Sequence, residues 1–472
     1  MKKIMMTLIA WTMGVAAVMA APTTLEQTQR VASNFYRAQV GIAAPAPQLT
    51  YTATANDGNS TPCFYVYNIG DGFVIVSADD RVRPVLGYST EGRFDAQQMP
   101  PAMAELLESY RIEIAGIVSD VPESCALHRA EWQALVDGSY QPHRNVSTVD
   151  ALLGDNNWQQ NNGYNYYCPA DNSGPGGHCY VGCCALSMGM VMHYWQHPTK
   201  GTGSHSYDCN HSEYLSGQYG DYGTLSANFG NTTYNWAAMP NHLTSSTPSS
   251  QILAVARLLS HCGIAIEMWY GNQGSMGFHD DIADALEEYF KYDECLTVWK
   301  NNYSGDWSAL LKGDLDLGRP IIYCAYASEG GHEFVCDGYD ANDFFHFNMG
   351  WGGSYNGFYA IDNLNAQYNF NSSHAAVAHI RPLAENPDGI SENGVVKVEA
   401  FPNPATGVVT VVSAEPIDEV RLFDATGRQV RRLDAVNGCR CEMELNGLAP
   451  GLYMMRVVDA SGAITTTKVS KR

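Results

Sequence analysis

Residues 183–195 read Cys-Cys-Ala-Leu-Ser-Met-Gly-Met-Val-Met-His-Tyr-Trp, a helical stretch that is apolar nearly all round. A helix without a polar stripe cannot lie on a surface and has to be enclosed by other elements. The chain must therefore build a large domain around this segment. With 472 residues it is long enough for about three domains, more than one ordinary core.

Hydrophobic residues make up 45% and charged residues 16%, a balance that suits globular folding rather than disorder. The formal net charge is −22. A surface this acidic repels nucleic acid and anionic lipid, so neither is expected as a partner. Lys2 and Lys3 precede an apolar run from Ile4 to Met19 that ends in Val18-Met19-Ala20. A positive start, an apolar middle and a small residue at the cut describe a secretory signal over residues 1–20. No other stretch approaches the ~20 apolar residues of a membrane span. Export permits disulfides, yet 13 cysteines leave at least one thiol unpaired within the chain.

Three units follow the signal. Residues 21–145 carry a strand pair, Phe64-Tyr65-Val66-Tyr67 and Gly72 to Ser77, and apolar positions at helical spacing after Pro100-Pro101. The polar stretch 136–148, with Gly138, Pro142, His143 and Arg144, reads as an exposed, cleavable connection. Residues 146–383 place helices first (183–195, 251–263, 278–291) and strands later (320–326, 333–339, 344–349, 357–361). That order predicts an α+β unit with a helical part against an antiparallel sheet. A linker at 384–394 leads to strands at 408–412, 420–423 and 452–457. These predict a small β-sandwich over 395–472.

Cys183 opens the buried helix directly after Gly182. Unpaired N–H groups and the dipole at a helix N-terminus favour an anion and lower a thiol pKa, which makes a cysteine nucleophilic. On these residues alone, Cys183 stands evenly between a nucleophile and a plain core thiol. Cys184, one position round, is expected to point into the core. A nucleophilic thiol needs a base, and His332 follows Cys183 by 149 residues, after Gly330-Gly331. That separation is near the ~130–150 of papain-like enzymes. A hairpin is expected to set Asn348 beside His332, where its amide can fix the imidazole tautomer. Gly331 gives room for close approach.

The segments Gly182-Cys183, Met192-His193-Tyr194, Tyr234-Asn235-Trp236, Tyr270-Gly271, Gly331 to Gly338 and Asn348-Met349-Gly350-Trp351-Gly352-Gly353 together resemble the streptopain family of secreted cysteine peptidases. The resemblance covers roughly 155–383 and keeps order and spacing. It implies a papain-like fold and endopeptidase activity with a hydrophobic pocket for the residue two before the cut. Cys183 then corresponds to the nucleophile and His332 to the general base, with Asn348 and Trp351 as supports. Trp158-Gln159-Gln160-Asn161-Asn162-Gly163-Tyr164-Asn165 resembles the family's upstream segment, which makes Gln160 the candidate oxyanion donor; the plain alternative is a Gln that packs a loop. Gly163 stands where the family has Pro, and Met349 where members commonly have Trp.

The flanks resemble further parts. Gly72 to Asp80 followed by Pro84-Val85-Leu86-Gly87-Tyr88 looks like this family's pro-domain, which implies an intramolecular inhibitor and a zymogen. Pro402-Asn403-Pro404, Leu422 to Arg428 and Gly451-Leu452-Tyr453 resemble the type IX secretion sorting domain. That implies secretion machinery as a partner and a Gram-negative cell surface or medium as destination. No cofactor is implied. A zinc site built from Cys168, Cys179, Cys183 and Cys184 lacks the paired short loops of zinc ribbons. Two rivals to a peptidase are a non-catalytic peptide-binding or inhibitor protein on the same fold, and a papain-like transglutaminase or amidase.

Overall fold

One antiparallel sheet of ten strands organises everything before residue 385. The computed structural model describes residues 22–41, 45–121, 128–142, 148–214, 217–327, 330–361, 364, 373–383, 398–424, 428–459 and 464–472. The expected signal (1–20) and linker (384–394) lie outside these, as do His143 and Arg144. The N-terminal part supplies α1 (Leu25–Val40), β1 (Gln48–Thr54), β2 (Pro62–Ile69), β3 (Gly72–Ser77), β4 (Val85–Ser89), α2 (Pro101–Asp120) and α3 (Arg129–Asp137). Then come α4 (Cys183–Trp195), β5 (His205–Asn210), β6 (Asp221–Ala227), α5 (Ser249–Ala265), α6 (Asp281–Phe290) and β7 (Leu296–Trp299). They are followed by α7 (Trp307–Leu315), β8 (Ile321–Ala327), β9 (Gly330–Tyr339), β10 (Phe345–Asn348), β11 (Gly357–Tyr359) and β12 (Ser373–Ala378).

Local chemistry sets these boundaries. Thr24 and Gln27 form a capping box at the start of α1, and Gly41 ends the helix in the left-handed conformation. Pro101 sits in the first turn of α2, where its missing N–H costs nothing. The strand order is β1-β2-β3-β4-β11-β10-β9-β8-β12-β7. β9 is covered on both faces, so its apolar residues pack on both sides. Val335 packs with Ile322, Val377 and the residues of α4 and α5. Phe334 and Cys336 share a core with Phe64, Met103 and Tyr110 from the N-terminal part. The expected helical part against an antiparallel sheet is therefore present, with α4 buried at its centre.

Residues 21–145 and 146–383 read as two domains in the sequence. In the structure they share a sheet and a core. The seam is the antiparallel pairing of β4 with β11, Gly87 opposite Tyr359 and Tyr88 opposite Phe358. Separate strand patterns cannot reveal this, because a sheet edge carries no label of its partner. Residues 149–153 are also tied to β9. Val149 and Tyr339 exchange two backbone bonds of 3.0 and 2.9 Å, and Leu152 N–H donates to Asp337 O at 2.8 Å. Leu153 N–H donates to Asp337 Oδ2 at 3.0 Å.

The C-terminal unit, Glu385–Arg472, holds β13 (Glu399–Phe401), β14 (Val408–Phe423), β15 (Gln429–Glu444), β16 (Gly451–Asp459) and β17 (Ile464–Lys471). The two strands expected at 408–412 and 420–423 are one long strand with irregular register between 412 and 417. Its first half pairs with β13 and its second with β16. The bent sheet closes sandwich-like over Val409, Val411, Ile417, Leu422 and Met455. Among the described residues, no helix is long and apolar enough to cross a membrane.

Tyr88 carries the seam. Its ring stacks on Phe358 at 5.2 Å, meets Phe344 and Phe35 edge-on, and its hydroxyl donates to Asp340 Oδ2 at 2.8 Å. Tyr88→Ala is expected to destabilise the precursor by about 3–5 kcal/mol, read as a lower urea midpoint. An unchanged midpoint would mean that the seam contributes little to holding the two parts together.

Candidate active site

Gly182 precedes α4 with φ +87°, and a Cβ there would lie 2.7 Å from Met268 Sδ. Only glycine meets both conditions without strain. The chain therefore turns sharply into the helix and leaves Cys183 half-buried at its N-terminus, while Cys184 is buried in the core. Gln160 is built into the same corner. Its main-chain oxygen accepts from Val181 N–H at 3.1 Å. Its side-chain Oε1 accepts from Gly182 N–H at 3.1 Å. The carboxamide is thereby fixed beside Cys183, and its Nε2 makes no hydrogen bond to the described residues.

His332 lies on β9 opposite Ala325, half-buried. Gly331 faces Tyr326, whose ring fills the space where a Cβ would stand, 2.3 Å away. His332 and Cys183 are hydrogen-bond partners, and each shifts the titration of the other. The hydrogen of the Cys184 thiol and, further down, the His332 imidazole hold the Cys183 thiol below its ordinary pKa; burial and the Glu333 charge push against this. Burial works against a His332 cation, but Cys183, Glu333 and Glu105 of α2 outweigh it and raise the pKa. Cys184 moves the other way and stays protonated, because its one hydrogen is shared between Cys183 and Glu333 and its surroundings are buried.

Glu333 is a further partner of the thiols. Its Oε2 accepts from Cys183 Sγ at 3.4 Å and from Cys184 Sγ at 3.1 Å. Its Oε1 accepts from His279 Nδ1 at 3.2 Å, and the two side chains are 3% and 0% exposed. Burial pushes the Glu333 carboxyl up, but the His279 ring and the thiol donors prevail and leave it below its usual value. Neither residue was among the expected site residues. Glu333 had a legible signal, because it shares the face of Val335 on a strand with both faces covered, so a carboxylate there must be buried and partnered. Nothing in the pattern around His279 marks it.

Asn348 is not beside His332. The register sets it opposite Val335, and it is 1% exposed. Its Nδ2 donates to Asn156 O at 2.7 Å, and its Oδ1 accepts from Gly350 N–H at 3.1 Å. The β9–β10 pairing starts at Phe345 opposite Tyr339, and this register keeps Asn348 three residues short of His332 along β9. Trp351 is half-buried, and the next residue, Gly352, donates its N–H to Trp158 O at 3.1 Å. Met349 is buried in the core shared with the N-terminal part. On the other side of Cys183 stands an aromatic wall. Trp269 packs on Tyr214 at 4.9 Å, Phe278 at 5.6 Å and Tyr219 at 5.8 Å. Phe278 and Tyr214 are about half exposed, and Tyr219 is close enough to feel the charge of Cys183.

A thiol activated at a helix N-terminus, a nearby imidazole and a fixed carboxamide between a helical part and a sheet define a papain-like cysteine peptidase site. Known proteins agree. Residues 158–359 match the Peptidase C10 family, 20–114 match the Spi protease inhibitor family, and 399–471 match the secretion system C-terminal sorting domain. Streptopain from Streptococcus pyogenes is 30% identical over 341 residues, 67% of this chain and 80% of its own length. The thiol protease/hemagglutinin PrtT of Porphyromonas gingivalis is 29% identical over 377 residues, 77% of this chain, which spans 42% of PrtT. The solved structure of Prevotella intermedia prointerpain A superposes with TM-score 0.55 at 28% identity, covering 70% of this chain and 98% of that one. The chain belongs to the peptidase C10, or streptopain, family of cysteine peptidases, with an inhibitor-like pro-domain and a secretion sorting domain that marks it for the cell surface or the medium.

The hydrogen bonds of Asn348 predict a structural effect. Asn348→Ala leaves the Asn156 carbonyl and the Gly350 N–H without partners in a buried site, at a cost of about 1–3 kcal/mol. The expected outcome is a lower melting temperature. Unchanged stability with a large loss of activity would instead assign Asn348 to orienting His332.

Proposed function

We propose that this chain is a secreted cysteine endopeptidase made as an inactive precursor, with Cys183 as nucleophile and His332 as general base and acid. The observation that carries this reading is the corner at Gly182. It holds one half-exposed thiol at the end of a buried helix, with the Gln160 amide anchored beside it. In the reaction the Cys183 thiolate adds to the scissile carbonyl carbon. The oxygen becomes an anion, which the Gln160 Nε2 and the main-chain N–H of Cys183 can receive. Collapse of this intermediate breaks the C–N bond, and His332 gives its proton to the leaving amine. His332 then takes a proton from water, whose oxygen displaces the thiolate from the acyl group.

In the precursor Cys183 contacts Glu333 as well as His332, and Glu105 from the pro-domain is among the charges acting on His332. Activation then consists of pro-domain release. Asn348 and Trp351 support the 156–158 and 348–352 loops around this corner instead of the ring itself. The aromatic wall of Trp269, Tyr214 and Phe278 supports a preference for a hydrophobic side chain two residues before the cut. The substrates are proteins or peptides. A non-catalytic binder on this fold would have no use for a lowered thiol pKa at one of two adjacent cysteines.

Cys183→Ala is expected to abolish peptide hydrolysis, and His332→Ala to reduce it at least a thousandfold with the fold intact by circular dichroism. Iodoacetamide is expected to label Cys183 of the matured protein before any other thiol. Hydrolysis by Cys183→Ala at the wild-type rate would favour the binder.

The activating cut is expected between Gly138 and Thr148. On one side, α3 belongs to the pro-domain core through Trp132 and Leu135, and Trp132 Nε1 donates to Val82 O at 2.8 Å. On the other, residues 149–153 are latched to β9. Gly138, Ser139 and Gln141 are exposed, which suits proteolysis. N-terminal sequencing of the matured protein checks this; a start beyond Leu153 with full activity contradicts it.

A further inference from the structure

Around the carboxylate of Glu333 stand four other groups that bind metals. Cys183 and Cys184 face Oε2, and His279 faces Oε1. Cys324 of β8 lies in the same cluster with His279 and Glu333. The donor atoms of Cys183, Cys184 and Glu333 all lie within 4.8 Å of one another. Zinc bonds of about 2.3 Å to sulfur and about 2.0–2.2 Å to oxygen set a tetrahedral S···O edge at about 3.5 Å. The observed S···O separations are 3.4 and 3.1 Å, so small shifts suffice to enclose an ion. Glu333 is already aimed, because the buried His279 ring holds its other oxygen. A hydrogen bond of this kind to a ligating group is what orients and tunes a metal site.

We propose that Cys183, Cys184 and Glu333 form a binding site for one thiophilic divalent cation, zinc by preference, with His279 positioning Glu333. The cation takes the place of the thiol hydrogens, which leave to solvent as protons. Two thiolates and a carboxylate on a dication leave about one negative charge, which suits the N-terminus of α4. Two sulfurs and one oxygen select zinc over magnesium or calcium, which take oxygen ligands. Cys183 is partly exposed whereas Cys184 and Glu333 are buried, so water can reach the site from the Cys183 side. A cation held there occupies the nucleophile. The site is therefore inhibitory, a reversible lock on the thiol that is separate from the pro-domain.

The test is a Co²⁺ titration of the reduced, metal-free, full-length precursor, followed by displacement with Zn²⁺. The expected result is one Co²⁺ per chain, with thiolate-to-cobalt charge-transfer absorption and strong visible bands of a four-coordinate site, both abolished by one equivalent of Zn²⁺. Glu333→Gln and Cys184→Ser are each expected to weaken Co²⁺ binding at least tenfold. Cys209→Ser, at a buried thiol elsewhere in the same unit, is expected to leave it unchanged. Absence of saturable thiolate–cobalt absorption overturns the proposal, as does binding lost with Cys209→Ser but kept with Glu333→Gln. A second measurement uses wild type alone, in case the variants fold poorly. Stoichiometric Zn²⁺ is expected to protect Cys183 from iodoacetamide, located by mass spectrometry; unchanged alkylation in tenfold excess Zn²⁺ overturns the proposal. These readouts need no turnover. A protein that hydrolyses peptides but binds no Co²⁺ refutes only the cation site, and one that binds Co²⁺ but hydrolyses nothing refutes only the peptidase reading.

Discussion

The burial of α4 is the constraint on which the rest depends. The helix has no polar face, so α5 and the sheet must close around it, with Val335 and Ile322 from one side and Leu258 and Leu259 from the other. Enclosure fixes the helix axis, and the axis fixes where its N-terminus emerges. The N-terminal N–H groups need partners or an anion, and this is the end that carries Cys183. Gly182 and Gln160 supply the turn and a partner there. A packing requirement of the core thus becomes a positional requirement on the nucleophile.

The same sheet makes the pro-domain more than a cover. β4 extends it beyond β11, and aromatic residues from both parts interlock on one face. Phe334, Phe347 and Tyr359 of the peptidase part lie in one core with Phe73, Phe94 and Tyr110. Burial of this kind contributes roughly 25 cal/mol per Å² of apolar surface. A cut between the two parts changes connectivity but removes none of these contacts. Release of the pro-domain would therefore have to follow the cut as a separate, costly step.

Much of this was legible in the sequence because it rests on local chemistry. The limits of α4 follow from Gly182 and the apolar run, α2 from Pro101, and β2 and β3 from their turn. The motif segments around Cys183, His332 and Gln160 give the family. What escaped was non-local. The continuation of the sheet across β4 and β11 depends on which edges meet. The placement of Asn348 depends on the β9–β10 register, which alternation cannot show. β12, which pairs β8 with β7, consists largely of Ala and carries weak strand propensity. Glu333 lies inside the Gly331 to Gly338 segment that carries the resemblance. Its meaning depends on which core the alternate face of β9 meets.

Glu333 poses the sharpest energetic question in the molecule. A buried carboxylate beside a thiol that has to ionise is electrostatically adverse, since each negative charge raises the cost of the other. Desolvating such a charge costs several kcal/mol unless partners compensate. His279 and the two thiols do so here, yet an apolar residue at 333 would need none of them. Arrangements of this kind concentrate at functional sites, where strained electrostatics serve the chemistry. The carboxylate engages the sulfur, and its charge works against the Cys183 thiolate. The same negative charge favours a protonated His332, the partner a thiolate requires. One side chain thus opposes the thiolate directly and supports it through the imidazole.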